Sequence, residues 1–152
     1  MLSQKCQYAL RAVFEVAKRS GEGPIKIEAI ARAQSIPARF LAGILSQLKQ
    51  AGFVESRRGA EGGYLLARPA NRLSVGEVIR FIEGPLAPVV CVTEKGPDAC
   101  PLQGKCVFMP TWKEAQEAVE GVYDRVSFQD LIEREAQMME ADDAAPTPTY
   151  CI

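Results

Sequence analysis

Helical hydrophobic patterns fill most of the first 52 residues. The first begins after Ser3, which can cap a helix, and a second, short one covers residues 27–33. A tight turn at 34–37 separates it from a third helix, predicted from Pro37 to Gly52. The apolar residues at helical spacing are Leu10, Val13, Phe14 and Ala17 in the first helix and Phe40, Leu41, Ile44, Leu45 and Leu48 in the third. A short helix, a tight turn and a second amphipathic helix predict a helix-turn-helix.

Two short strand-like runs follow, over residues 53–57 and 64–67. The six residues between them include three glycines, which allow a sharp reversal of the chain, so a β-hairpin wing is predicted. Arg57 and Arg58 lie at the base of this hairpin, from where they can reach phosphates or a minor groove. The predicted fold is therefore mainly α with a small β-hairpin wing.

The second half of the chain predicts further helices on either side of a long loop. Ser74 is expected to cap a helix that ends at Gly84. The loop over 85–110 has a length typical of functional or disordered segments. A helix over 111–126 carries one apolar stripe. Another, capped by Ser127, is predicted from Phe128 to about Met139. A long helix attached to a small domain indicates pairing with the same helix of a second subunit, so a dimerisation helix and a homodimer are predicted.

Charge is unevenly distributed, although the net charge of the 152 residues is only −1. Residues 1–72 carry 12 Lys and Arg against 5 Asp and Glu, whereas residues 73–152 carry 6 against 14. A basic first half indicates contact with nucleic acid, the alternative being that both faces are simply solvated. No apolar run approaches the roughly 20 residues that span a bilayer, and the first six residues lack an apolar signal core. A cytoplasmic protein without a membrane partner is expected.

Three cysteines, Cys91, Cys100 and Cys106, are gathered on the loop in a chain that has no histidine. Thiols this close together are more often metal or cluster ligands than packing residues. A histidine-assisted hydrolase is excluded, and a cysteine-based redox enzyme is disfavoured because no Cys-x-x-Cys motif is present, so the pattern favours a sensor over an enzyme. From these residues alone an iron–sulphur cluster, zinc and thiols with nothing bound all stay open. Five cysteines in a reducing compartment argue against a disulfide framework.

Several segments together resemble one family of bacterial regulators. They are residues 8–11 (YALR), 58–66 (RGAEGGYLL) and 73–79 (LSVGEVI), with the three-cysteine loop. Over roughly residues 1–136 the chain is similar to the Rrf-two family, which includes the IscR, NsrR and CymR types. The resemblance implies a dimeric winged-helix transcription regulator, often with a 2Fe-2S or 4Fe-4S cluster that gates DNA binding.

The third helix is expected to enter the major groove of double-stranded DNA, with Arg39 pairing with guanine or contacting phosphate. Ala42 and Gly43 stand where family members often have polar side chains. They suit close approach of the backbone or contact with a thymine methyl group. The residues predicted to contact DNA are Lys5, Lys26, Ser35, Pro37, Arg39, Phe40, Ala42, Gly43, Gln47, Arg57, Arg58 and Gly59. A two-fold dimer would bind an inverted-repeat operator.

The resemblance also implies the ligands of a cluster. Cys91, Cys100 and Cys106 match the cluster cysteines of IscR-like and NsrR-like proteins in order and position. The fourth ligand departs from both types, since this chain has Met109 where one has histidine and Gln7 where the other has a carboxylate. Candidates for the fourth ligand are Cys6 from the partner subunit, a small thiol, water, Glu94 and Asp98.

The four parts predicted for the chain are a winged helix-turn-helix DNA-binding region (1–84), a cysteine-containing sensor loop (85–110), the dimerisation helix with the helix after it (111–139) and a flexible, acidic C-terminal tail (140–152). The tail closes with Tyr150, Cys151 and Ile152, similar to the CymR type, whose branch binds cysteine synthase. An alternative function is therefore a regulator of cysteine or sulphur metabolism that is controlled by a docked enzyme such as cysteine synthase, without a cluster.

Overall fold

The computed structural model describes residues 2–93 and 100–144, and in these residues it contains six α-helices and two β-strands. The helices are α1 (Gln4–Lys18), α2 (Ile27–Gln34), α3 (Ala38–Gln50), α4 (Val75–Glu83), α5 (Met109–Asp124) and α6 (Phe128–Ala144), and the strands are β1 (Val54–Arg57) and β2 (Gly63–Leu66). This order confirms the predicted winged helix-turn-helix with a small hairpin.

Helix α1 is the centre of the core. It begins at the predicted cap, where the Ser3 hydroxyl accepts a hydrogen bond of 3.1 Å from the Cys6 backbone N–H. The helix packs against α2, α3, α4, α6 and β2, so it buries more than one stripe. Its fully buried hydrophobic residues are Cys6, Ala9, Ala12, Val13, Val16 and Ala17. Leu10 and Phe14, which share the apolar spacing of this helix, are only half-buried, because they lie at the edge of the contact with α6.

A buried carboxylate connects α1 to the helix-turn-helix. The Glu15 side chain is only 3% exposed, and its Oε2 accepts a 2.8 Å hydrogen bond from the Gln34 amide at the end of α2. Lys18 and Arg19 bring cations within 3.8 and 3.9 Å of the same carboxylate. A buried carboxylate is tolerated when it is hydrogen-bonded and paired in this way, so Glu15 helps to hold α2 in place.

The turn between α2 and α3 sets the direction of α3. Ser35 has a left-handed backbone with φ of 50°, and Pro37 is the N-cap residue of α3. The apolar positions Leu41, Ile44, Leu45 and Leu48 are buried, and each contributes roughly 1.5–3 kcal/mol by leaving water. Phe40, which shares this apolar spacing and was predicted to contact DNA, lies outside the buried set. This residue is 49% exposed, because it lies on the flank of α3 beyond its core stripe.

The wing is an antiparallel hairpin in which Arg57 lies opposite Gly63. Ile25 extends the pairing beyond the hairpin, since its N–H donates to the Tyr64 carbonyl at 2.9 Å and its carbonyl accepts from the Tyr64 N–H at 2.8 Å. A Cβ atom on Gly63 would lie 2.5 Å from the Ile25 carbonyl oxygen, so this crossing requires glycine. The chain entering α2 is thereby attached to the wing.

Helices α4 and α6 begin side by side with matching caps. Ser74 and Glu77 form a capping box at α4, as the sequence predicted for Ser74. The Ser127 hydroxyl accepts a 3.1 Å hydrogen bond from the Asp130 N–H at α6, and the Asp130 carboxylate accepts from the Ser127 N–H at 2.8 Å. Both serines are thus cap residues, and they form an antiparallel bridge with each other.

Helices α5 and α6 differ from the prediction at their ends. Helix α5 begins at Met109 instead of Thr111, and α6 continues to Ala144, five residues beyond the predicted end at Met139. Residues 140–144 contain no proline or glycine, so nothing local stops the helix. No residue of α5 is buried. Within residues 2–93 and 100–144, no helix is long and apolar enough to cross a membrane.

Candidate nucleic-acid interface and cysteine loop

All twelve residues predicted to contact DNA are exposed in the structure. They come from four places: the start of α1, the start of α2, the turn and outer face of α3, and the base of the wing. Exposure makes them available to a partner, and their contact with DNA stays a prediction.

The outer face of α3 carries one cation, Arg39, that contacts an aromatic ring. The Arg39 guanidinium lies 4.7 Å from the centroid of the Phe40 ring, in a cation–π contact. Among the described residues, Arg39 has no ion-pair partner within 4.0 Å. The guanidinium is therefore oriented by an aromatic ring while its hydrogen-bond donors stay open to a ligand.

A groove of about 430 Å³ separates the start of α1 from α3. Its lining residues are Gln4, Lys5, Tyr8, Arg39, Phe40, Gly43, Ile44 and Gln47. Five of these residues were predicted from the sequence to contact DNA. Gln4 and Tyr8 were not predicted to lie at this groove, and their side chains are joined by a 3.0 Å hydrogen bond from the Gln4 amide to the Tyr8 hydroxyl. The spacing of four residues was the available signal, because it places both side chains on one face of α1.

The wing presents two arginines with different surroundings. Arg57 lies 3.8 Å from Glu55 in an exposed ion pair, which is worth little in water. Arg58 is exposed and lies just beyond β1, next to Gly59 with its positive φ of 106°. The hairpin thus carries cationic side chains on a short reversal whose shape depends on glycine.

The loop cysteines Cys91, Cys100 and Cys106 are all free thiols of intermediate exposure. In the part of the chain that the structure describes, no three Cys, Asp or Glu side chains come together as a group that could hold a metal ion. The donors fit the chemistry of an iron–sulphur or zinc site, since thiolates are the usual ligands of both, but the described conformation does not assemble them. Glu94 and Asp98 lie outside the described residues.

Cys6, a candidate for the fourth ligand from the partner subunit, lies in the core of its own subunit with 0% exposure. Burial raises the pKa of its thiol to about 11, and the nearby Glu83 carboxylate adds to this rise. Within one subunit the structure does not bring Cys6 to the loop, and its burial disfavours the thiolate that a metal needs. Its contact with the loop of a partner subunit stays a prediction.

The loop is connected to the core through α5. The loop contains a short 3₁₀ turn at Val90–Val92, which packs against α5, and α5 packs against α4. Arg80 on α4 makes two contacts with the Asp124 carboxylate, at 2.7 and 3.1 Å. Glu83, the last residue of α4, accepts a 2.9 Å hydrogen bond from the Ser3 N–H at the start of α1. A continuous set of contacts thus joins the cysteine loop to α1.

Comparison with known proteins identifies this architecture. Residues 2–134 match the model of the Rrf2 family, described as an iron-dependent transcriptional regulator. The chain belongs to the Rrf2 family. Its members and its relatives here are transcriptional regulators, so the prediction that the chain is not an enzyme is confirmed, and the family supports DNA binding.

Two types of Rrf2-family regulator resemble the chain about equally. The transcriptional regulator CymR of Bacillus subtilis is 34% identical over 130 residues, which cover 86% of this chain and 88% of CymR. The solved structure of that CymR, the global cysteine regulator of B. subtilis, superimposes with a TM-score of 0.71 at 30% identity and covers 88% of this chain and 97% of CymR. The structure of IscR from T. potens gives a TM-score of 0.70 at 29% identity, over 99% and 94% of the two chains.

Proposed function

We propose that this Rrf2-family chain is a homodimeric DNA-binding regulator whose operator affinity is gated by an iron–sulphur cluster on Cys91, Cys100 and Cys106. The observation that carries the DNA-binding part is the exposed outer face of α3, where Arg39 is oriented by Phe40. Lys5, on the start of α1, lines the groove beside that face, and Arg58 follows β1 in the wing. Cations at these positions would neutralise phosphates while α3 contacts base edges.

A second copy of the chain is the proposed partner of α5. This helix has an apolar stripe but no buried residue, and Val119 and Val122 are 43% and 51% exposed. Ala115 and Val119 also line an open groove of about 350 Å³ against the segment 85–88. Pairing of two such helices would remove this apolar surface from water and would set the separation of the two α3 helices.

The dimer is tested by replacing Val122 with glutamate and measuring the mass in solution by sedimentation equilibrium. We expect the wild-type protein at twice the chain mass and Val122→Glu at the chain mass, because the charge would be buried in the pair. Glu117→Gln, outside the stripe, is the matched control and should remain dimeric. A wild-type protein that sediments as a monomer at micromolar concentration would contradict the proposal.

The cysteine loop is the proposed sensor. A bound iron–sulphur cluster would supply a group that responds to oxidants and nitric oxide. The chain's own contribution is positional: the turn at Val90–Val92 rests on α5, and the Arg80–Asp124 contact links α5 to α4. A change in the loop can therefore change the position of α5. In a dimer paired through α5 this would change the distance between the two α3 helices, which must match two DNA half-sites about one turn of the DNA helix apart.

The sensor is tested on protein purified without oxygen. Iron and sulphide in matched amounts, together with visible absorbance, would support a cluster. The Cys106→Ser variant should lose the bound iron and sulphide and the visible absorbance. Operator affinity is then compared at one salt concentration with and without the cluster. A cluster whose loss leaves that affinity unchanged would contradict gating, and an iron-free, colourless protein would contradict the cluster itself.

A second candidate function is a regulator of cysteine metabolism that is controlled by a docked enzyme. It is favoured by the similarity to CymR, the global cysteine regulator of B. subtilis, and by the separation of the loop cysteines in the described residues. The proposed docking residues, Tyr150, Cys151 and Ile152, lie outside the described residues. Their removal should abolish binding to cysteine synthase, measured by calorimetry, and should leave iron content unchanged.

A further inference from the structure

The first six residues of α3, the helix proposed to enter the major groove, present a largely apolar surface. Five of them, residues 38–40, 42 and 43, are exposed, and only Leu41 is buried. Of the five, Arg39 alone has a side chain that can hydrogen-bond, while the others are alanine, phenylalanine or glycine. Base readout through Asn, Gln, Asp or Glu is therefore not available at this end of α3.

Phe40 and Gly43 form the centre of this surface. The Phe40 ring is 49% exposed and lines the groove beside α1. Gly43, almost one turn later, also lines it, and a Cβ atom placed there would have no neighbour within 4 Å. The ring thus borders open space into which a small apolar group fits. The Arg39 guanidinium lies over the same ring, 4.7 Å from its centroid.

The major groove offers one apolar group on its base edges, the C5-methyl group of thymine. We propose that Phe40, Ala42 and Gly43 form a reading surface for thymine C5-methyl groups, so that sequence preference depends on methyl contacts in addition to the Arg39 contact. This inference rests on the proposed binding of DNA by α3. A methyl contact differs from a phosphate contact, because a phosphate carries no information about the base.

The test begins with selection of preferred sites from a random duplex DNA library. Each thymine of the selected site is then replaced singly by deoxyuridine, which lacks only the methyl group. For each methyl group that contacts the surface we expect about a fourfold loss of affinity, the fold-change that corresponds to ~0.8 kcal/mol for one buried methylene-sized group. Thymines outside the α3 contact serve as internal controls and should tolerate the replacement.

Variants of Phe40 assign the effect to the ring. Phe40→Ala should bind the thymine and deoxyuridine sites with nearly equal affinity, since the contact is absent from both complexes. Phe40→Leu keeps an apolar side chain and should retain part of the discrimination. The coupling between the base change and the residue change is then read from the double-mutant cycle.

The outcomes separate this inference from the proposed function. If no duplex is enriched or bound, DNA binding itself fails. If a site is selected but no deoxyuridine replacement weakens it, DNA binding stands and methyl readout is overturned. If the loss persists undiminished in Phe40→Ala, the assignment to this surface is overturned.

Discussion

Arg80 on α4 and Asp124 at the end of α5 form a two-point ion pair, with the shorter contact at 2.7 Å. Their side chains are 36% and 43% exposed, so the pair alone is worth at most about 1 kcal/mol. The same Asp124 lies over Gly76, one helical turn before Arg80, where there is no side chain to obstruct it. The junction of α4 and α5 therefore depends on the absence of a side chain at Gly76 as well as on the charges.

Gly76→Ala should destabilise the protein. The new Cβ would overlap Asp124 Oδ1 and lie 3.2 Å from the Asp124 backbone nitrogen. The carboxylate must therefore leave its place beside Arg80, and the end of α5 must give by a few tenths of an ångström. We expect a loss of roughly 1–3 kcal/mol in the free energy of unfolding, measured by urea denaturation. Gly43→Ala is the matched control: its Cβ meets nothing within 4 Å, and alanine in a helix should stabilise by roughly 0.5–1 kcal/mol. Equal stability of wild type and Gly76→Ala would disprove this account of the junction.

Arg58→Ala should weaken DNA binding in a salt-dependent way. If Arg58 neutralises one phosphate, its removal should lower the slope of log affinity against log salt concentration by about 1, since one fewer counterion is released. Fluorescence anisotropy over a series of salt concentrations measures this slope. Arg125, an exposed cation just after α5, is the control, and its replacement by alanine should leave the slope unchanged. Identical slopes for wild type and Arg58→Ala would remove Arg58 from the interface.

Cys6 should resist alkylation in the native protein. With a pKa of about 11, only about one thiol in a thousand is ionised at pH 8, and the side chain is buried. Iodoacetamide labelling followed by peptide mass spectrometry should show modification of Cys91, Cys100 and Cys106 in the metal-free protein well before Cys6. Labelling in urea should modify Cys6 as readily as the others. Native labelling of Cys6 at the rate of the loop thiols would show that it is accessible, as a fourth ligand would need to be.

Glu83 should make stability fall in acid. The Ser3 hydroxyl and backbone N–H donate to its carboxylate and hold the pKa of Glu83 below its usual value. Its contribution is therefore present above the unfolded-state pKa of about 4.3 and is lost as the pH falls through the lowered folded-state pKa. Because the carboxylate is largely exposed, the effect should be small.

The measurement is urea unfolding over a pH series that crosses this range, at one protein concentration. Glu83→Gln should show a shallower decline in acid than the wild type. The same variant should also label faster at Cys6, because the carboxylate that helps to raise the pKa of that thiol is gone. Parallel stability curves for the two proteins would rule out Glu83 as a source of the pH dependence.

Several elements could be predicted because their causes are local in the chain. Ser3 and Ser74 cap helices by bonding to backbone groups three residues away, and Gly84 ends α4 with a positive φ of 85°. The helix-turn-helix followed from hydrophobic spacing in the same way. The twelve predicted DNA contacts remain predictions, although all are exposed.

Other features could not be read from spacing. Phe40 continues the apolar pattern of α3 but lies outside its core, and Tyr8 joins the α3 groove only because α1 packs beside α3. Periodicity specifies which residues share a face, whereas the packing partner decides where the buried face ends.

The sequence by itself determined the helices, the wing, the basic first half and a cysteine loop without histidine, because these depend on residue type and near neighbours. Only the tertiary structure decided that Cys6 is buried beside Glu83 and that the Asp124 side chain lies against Gly76. These pairs are far apart in the chain, and their contact follows from how α1, α4 and α5 pack against one another. Their chemistry, from the raised thiol pKa to the requirement for glycine, therefore arises from packing and has no local sequence signal.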